Sequence, residues 1–417
     1  MTRLLVLGCG FGGYSLLFRL RSRHWDTTLL SPRNYFLFTP LLPSAVTGGV
    51  ELRSILEPAR RRLRGVRLVE GSAERIDWER RMVMARGAVG GEPFELPFDV
   101  LVVAVGAAVA SYGVPGVAEH TSSLASVEDA RAIRRGVLEQ FARAEIPGLS
   151  PEQVRQRLTF VVCGGGPTGV EVAAEIHDLI HEELAHDYPE VAPAARVVLV
   201  EALGRILSSF DSALAAYAQD HFQRAGIEVR TGEAVAAVEP QAVRMQGGEI
   251  IPCGLVIWAA GNAPVPLTAE LGGPLERGRL RVDACLRLPG REDAYALGDC
   301  AVGDPPLPAT AQVAQQQGKY LARELDRRLR ERRRSQAGRG RPPGPDRPFR
   351  FHSLGMLAYI GGSQALADLP WVKWSGRGAW IFWRSVYLTK LVSFANKVKV
   401  LFDWFKARLF GRDLSRF

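Results

Sequence analysis

Cysteine is scarce and poorly placed for chemistry: the 417 residues hold five, Cys9, Cys163, Cys253, Cys285 and Cys300, and no two form a C-x-x-C pair. That excludes a dithiol redox centre, a regular zinc site and a disulfide framework, and no metal centre is expected. Long hydrophobic runs are missing too. No uncharged apolar stretch approaches the roughly 18 residues a bilayer-spanning helix needs. The opening apolar run, Arg3 to Gly8, is too brief for a span or a signal peptide. At about 150 residues per domain, this length points to two or three folded domains.

Positive charge is plentiful but localised. The net charge is +9, yet residues 327–350 and 371–417 each carry ten Lys or Arg against two acids, which leaves −7 on the remainder. A basic linker and a basic tail on an acidic body point to an anionic partner, nucleic acid or membrane. No nucleic-acid reading module accompanies the charge, so a membrane is favoured.

Glycine is what the chain has in pattern. After the first apolar run, Gly8, Gly10 and Gly13 match G-x-G-x-x-G, with Phe11 and Gly12 opening the helix that follows. Glycine there allows a tight turn, close approach of backbone to a pyrophosphate, and close packing of helix on strand. The helix start offers unpaired N–H groups to the phosphates. The pattern recurs in "LTFVVCGGGPTGVEVAAEI" at Gly164, Gly166, Pro167, Thr168 and Gly169. Two such units in strand-turn-helix context predict two Rossmann-like domains.

The end of the second strand distinguishes them. In the second unit that strand ends at Glu201, whose carboxylate suits a free ribose 2′-hydroxyl and repels a 2′-phosphate, so NADH is favoured over NADPH. Its spacing from Gly164 is 37 residues, lengthened by "HDLIHEELAHDYPEVAPA". In the first unit the equivalent place holds Ser31-Pro32, which suits FAD and also suits a simple turn.

Three further strands end in Gly106, Gly261-Asn262 and Gly298-Asp299. Here the chain resembles the two-dinucleotide-binding flavoprotein superfamily, which implies that Asp299 meets the FAD ribityl chain and that Gly106, Gly261 and Asn262 line the cofactors. The resemblance implies an α/β fold with a discontinuous FAD domain (1–118 and 273–326), an inserted NAD domain (119–272), a basic flexible linker (327–348) and a C-terminal region (349–417) for membrane anchoring or dimerisation. "SPRNYFLFTPLLPSAVTGGVE", "VEALGRIL", "PATAQVAQQQGKYLARELD" and the basic aromatic tail closely resemble type II NADH:quinone oxidoreductases, most closely the mitochondrial-type branch.

That resemblance implies single-subunit, non-pumping transfer of a hydride from NADH to FAD and of two electrons to a lipid quinone, ubiquinone or menaquinone. It places Thr39, Pro40 and Leu41 at the flavin, Ala311 and Gln312 beside it, and Glu171 and then Glu175 near the nicotinamide. Gln312 and Gln316, four apart on one helix face, would meet the quinone headgroup, with Gln315 and Gln317 merely solvated. Tyr387 and Lys390 would stand at the quinone entrance, although the mitochondrial pattern has an apolar methionine at Lys390. A soluble FAD-dependent NAD(P)H reductase serving a protein carrier or oxygen remains an alternative, as does an NADH-binding interaction protein of the apoptosis-inducing-factor type.

The tail supports a membrane. Trp380, Trp383, Tyr387, Leu391, Phe394, Val398, Leu401, Phe405 and Leu409 recur at steps of three or four, and five of the eight tryptophans lie between Trp371 and Trp404. This predicts one amphipathic interfacial helix on anionic lipid; the same helix would also serve a homodimer. Without a recognisable targeting segment, the expected location is the cytoplasmic face of a prokaryotic inner membrane, or a matrix-type face for a processed organellar protein.

Overall fold

The computed structural model describes residues 1–337 and 346–415. It divides into two compact units, each discontinuous in sequence: Met1–Leu37, Glu57–Ala108 and Asn262–Ser353 form one, Phe38–Leu56, Val109–Gly261 and Leu354–Phe417 the other.

The first unit is organised by a parallel sheet. Thr2–Leu7 runs between Trp25–Ser31 and Val100–Val103, with Val66–Asp77 and Ala294–Ala296 outside them, all parallel. Leu4 to Leu7 are buried on both faces of the sheet, which is why this strand reads as an unbroken apolar run rather than an alternation. The helix Phe11–Arg19 follows directly and packs on the long helix Ala311–Gln336. They cross so closely that a Cβ on Gly318 would lie 2.3 Å from the Gly12 carbonyl oxygen.

That long helix corrects the linker expected from residue 327. Residues 327–336 are helical, because Leu329 is buried and Arg327 pairs with Glu324 at 2.7 Å and Glu331 at 2.8 Å, one turn to either side. Arg, Leu and Glu are good helix formers. Residues 338–345 of the expected linker lie outside the described residues, and Asp346, just after them, is ion-paired with Arg287, Arg327 and Arg328.

The second unit holds a parallel sheet in the order Ser122–Ser123, Leu255–Trp258, Thr159–Cys163, Arg196–Glu201, Glu228–Thr231. The helix Pro167–Leu179 follows its central strand and continues into a π-helical turn, Ile180–Leu184. Phe38–Leu56 belongs to this unit and not with the FAD segment expected over 1–118. Leu41, Leu42, Ala45 and Val46 are buried, and the Ser44 and Thr47 hydroxyls donate to Glu175 on that helix.

The C-terminal region is not purely helical. An antiparallel sheet of Met356–Gly361, Gln364–Asp368 and Lys373–Gly376 precedes two helices, Arg377–Lys390 and Phe394–Phe410. The expected single stripe therefore breaks at Leu391–Ser393, and its sense inverts. The first helix buries Ala379 and Trp383; the second buries Asn396, Val400 and Asp403 and exposes Phe394, Phe402, Phe405 and Phe410. Polar bonds hold the second helix inward-polar: Asn396 donates to the Leu56 carbonyl at 2.8 Å, and Asp403 accepts the Glu51 N–H at 3.1 Å. No helix among the described residues is long and apolar enough to cross a membrane.

Candidate active site and dinucleotide cradles

Both glycine motifs form turns that tolerate no side chain. A Cβ on Gly8 would lie 2.3 Å from the Ala104 carbonyl oxygen, and one on Gly13 2.0 Å from that of Gly8. A Cβ on Gly10 would meet nothing within 4 Å, and Gly10 caps the helix Phe11–Arg19 without a side-chain hydrogen bond. Phe11 stands edge-on to Phe36, and Gly12 makes room for Leu297. The Ser31 hydroxyl accepts the Arg33 N–H at 3.3 Å across the turn that contains Pro32. Gly106 takes a left-handed φ of +74°. Asp299 is half-buried; burial raises its carboxyl, Arg279 opposes the rise, and the Arg279 guanidinium bonds the Asp299 carbonyl rather than the carboxylate. The cradle therefore fits a pyrophosphate, and Asp299 a hydroxyl-bearing chain.

The second unit repeats the geometry. A Cβ on Gly169 would lie 1.8 Å from the Gly164 carbonyl oxygen, and Gly164 has φ +115°. Gly166 caps the helix without a side chain, with Pro167 and Thr168 exposed at its first turn. Glu201 is fixed by backbone: its oxygens accept the N–H of Gly165 at 2.5 Å and of Leu203 at 2.7 Å. The charge is thus held at the end of the strand, beside the cradle. Gly261 closes this unit with φ +65°, whereas Asn262 opens the last segment of the other unit. Thr39, Pro40 and Leu41 form a short 3-10 turn within the second unit.

On the helix Pro167–Leu179 the carboxylates are not solvated. Glu171, Glu175 and Asp178 occupy one face at i, i+4 and i+7 and are all buried. Glu171 accepts the Tyr359 N–H at 3.0 Å, and burial pushes its carboxyl up to about 8, with the neighbouring Glu175 adding to the rise. Glu175 accepts from Ser44 at 2.5 Å and Thr47 at 2.7 Å and faces Arg412 at 3.6 Å. Asp178 accepts the Tyr359 hydroxyl at 2.6 Å. An aromatic series, Phe38, Tyr387, Trp383 and Tyr359, runs beside Glu171 with ring centroids 4.7–6.1 Å apart. Lys390 is exposed at the end of its helix.

The amides of "AQVAQQQ" divide differently from expectation. Both ends of the Gln316 amide bond the His352 main chain, at 2.8 and 3.1 Å, so that side chain anchors the segment leading to the C-terminal region. Gln312 is half-buried in the first turn, after Ala311 and the N-cap Thr310. Gln317, expected to be solvated, is 7% exposed and accepts the Gly298 N–H at 2.7 Å, holding the turn that carries Asp299. Gln317→Leu is therefore expected to orphan that N–H and lower stability by about 1–3 kcal/mol, read as a shift in the urea midpoint. Sequence periodicity could have flagged Asp178. Nothing local signalled Ser44, Thr47, Tyr359 or Arg412.

Two glycine cradles with a buried carboxylate on the second glycine helix define a two-dinucleotide-binding oxidoreductase. The family described as pyridine nucleotide-disulphide oxidoreductase matches residues 2–318, and the NDH2 C-terminal domain matches 353–413. The chain is 38% identical to a probable NADH dehydrogenase of Dictyostelium discoideum, covering 100% of this chain and 91% of the relative. It is 37% identical to the mitochondrial external NADH-ubiquinone oxidoreductase 2 of Saccharomyces cerevisiae, covering 99% and 82%. The solved structure of NDH2 from Plasmodium falciparum in complex with NADH matches with a TM-score of 0.93 at 25% identity, covering 99% of each chain. The chain belongs to the type II NADH dehydrogenase family.

Proposed function

We propose that this chain oxidises NADH and reduces a lipid quinone through bound FAD while resting on a membrane surface. FAD, when bound, supplies the carrier that accepts a hydride and releases two electrons. Gly8, Gly10 and Gly13 with Asp299 would hold it; Gly164, Gly166 and Gly169 with Glu201 would hold NADH and favour it over NADPH. The observation that carries the reading is Glu171. Converting NADH and a quinone to NAD⁺ and a quinol consumes one proton beyond the hydride, and a buried carboxyl held up to about 8 keeps that proton at neutral pH. Glu171 would hand it on, with Glu175, ion-paired with Arg412, behind it.

Within the first unit Gln312 would meet the quinone headgroup, with Gln316 shaping that side through His352; Tyr387 and Lys390, in the second unit, would serve the quinone's entry. The Saccharomyces cerevisiae relative is an NADH-ubiquinone oxidoreductase, which favours ubiquinone as acceptor. The exposed Phe394, Phe402, Phe405 and Phe410 would enter the interface, with Lys397, Lys399 and Arg408 meeting anionic headgroups. The face is the cytoplasmic side of a prokaryotic inner membrane or a matrix-type equivalent. The transfer would conserve no energy, a reading supported by the lack, among the described residues, of a helix long and apolar enough to cross a membrane.

An anaerobic experiment tests this in two arms. NADH should bleach the flavin, and quinone should restore its colour within the dead time of steady-state turnover; reduced flavin that ignores quinone and yields only to a carrier protein rejects the reading. Phe402→Asp/Phe405→Asp should slow reoxidation by quinone in anionic vesicles and spare reoxidation by a water-soluble short-chain quinone. Equal loss with both quinones rejects the membrane face.

A further inference from the structure

Gly411 and Arg412 reach back to the carboxylate face. After the helix Phe394–Phe410 the chain turns at Gly411, with φ +75°, where a Cβ would lie 2.7 Å from Glu183 Oε2. The Arg412 N–H donates to Glu183 Oε1 at 3.0 Å, and its guanidinium donates to Glu182 Oε2 at 3.1 Å. Glu182 and Glu183 both sit on the π-helical turn Ile180–Leu184, a local departure that often marks functional sites. The other end of the guanidinium, Nη1, is buried without a hydrogen bond and lies 3.6 Å from Glu175 Oε2. A cation seated by two anchoring contacts and aimed at a buried carboxylate is a built arrangement.

We propose that Arg412 is a positioning residue for the Glu171–Glu175 pair: clamped by the π-turn, its guanidinium sets the charge around the carboxyl that releases the proton. The role rests on the function proposed above. The groups facing the pair are Asp178 and Glu182 from the same helix, Ser44 and Thr47 from the Phe38–Leu56 segment, and Tyr359 from the C-terminal sheet. Arg384 and Tyr387 face it from the helix Arg377–Lys390, and Arg412 from the residues after the helix Phe394–Phe410. Arg384 is held between Trp380 at 3.9 Å and Trp404 at 4.7 Å, so aromatic faces take up its charge. Arg412 is the ion-pair partner of Glu175. Removing a cation from beside this pair favours the protonated form of Glu171.

The test uses the full-length flavoprotein and two readouts. One is the infrared carbonyl band of protonated Glu171, identified by its loss in Glu171→Gln; the other is the alkaline limb of turnover with a water-soluble quinone. Arg412→Gln should move both up by about one pH unit, and Arg412→Lys should leave both near wild type. Adding Arg412→Gln to Glu175→Gln removes both buried charges and should move both up from Glu175→Gln alone, so the assignment stays testable if Arg412→Gln folds poorly. A band that Arg412→Gln leaves in place in either background overturns it. If the band moves as stated while quinone fails to reoxidise the wild-type flavin, the proposed function falls and the positioning role stands.

Discussion

Gly169→Ala is expected to purify with its flavin and to need about 10- to 100-fold more NADH to bleach it. The first cradle lies wholly in the other compact unit, so flavin retention should be unaffected. In the second cradle the added methyl would lie 1.8 Å from the Gly164 carbonyl oxygen, a backbone atom that cannot swing aside as a flexible side chain would. Relief requires the helix Pro167–Leu179 to move off the strand Thr159–Cys163. That displaces the N–H groups at Gly166 and carries Glu171 and Glu175 with them. Forced overpacking costs about 1–3 kcal/mol, and each 1.4 kcal/mol drawn from binding is a factor of about ten. Flavin reduction followed by stopped flow against NADH concentration measures it, with dithionite confirming that the flavin is competent. An unchanged concentration dependence would mean that this turn does not carry the nucleotide.

Glu171→Gln has the second large effect, on a different step. Quinone turnover at neutral pH should fall by about two to four orders of magnitude, the range for loss of a positioned general acid, while NADH still bleaches the flavin at the wild-type rate. The variant also has a signature in stability. The folded carboxyl is held at about 8, above its ordinary 4.5, so the folded state binds this proton more tightly than the unfolded chain. That stabilisation is complete below about 4.5 and is lost as pH rises through about 8, by at most about 5 kcal/mol. Glutamine does not titrate. Glu171→Gln should therefore lose less stability than wild type between pH 6 and 9 and melt higher at pH 9. A parallel decline of the two melting curves would show that Glu171 is already ionised at neutral pH.

Much of this site follows local pattern. A strand that ends in glycine and leads into a helix declares itself within about twenty residues, because turn, close approach and packing each require the missing side chain. Glu201 stood out for the same reason, at the end of an apolar strand. Other features depend on distant partners. The sequence around Ser44 and Thr47 carries no mark of Glu175, which lies 131 and 128 residues away in the chain. The run of arginines after residue 326 reads as a solvated linker until Leu329 and the Glu324 and Glu331 pairs are seen to hold it helical. "MLAYIGGSQALAD", two apolar runs around Gly-Gly, was a legible hairpin signal, obscured by its small residues and by the tryptophans beyond it. In the tail, the spacing located the apolar residues and not their direction, because Asn396 and Asp403 found main-chain partners and took the inward face.

The discontinuity of the second unit bears on how the chain is made. Its central helix, finished at Leu179, waits for Tyr359 and Arg412, which are translated 180 and more residues later. Until they arrive, Glu171, Glu175 and Asp178 have only water and two hydroxyls for company. Contacts of such sequence separation close slowly, so the nascent chain carries this unit unfinished until Arg412 has been translated. A ribosome that stops short of Gly411 releases a protein with both glycine motifs and an open acidic face.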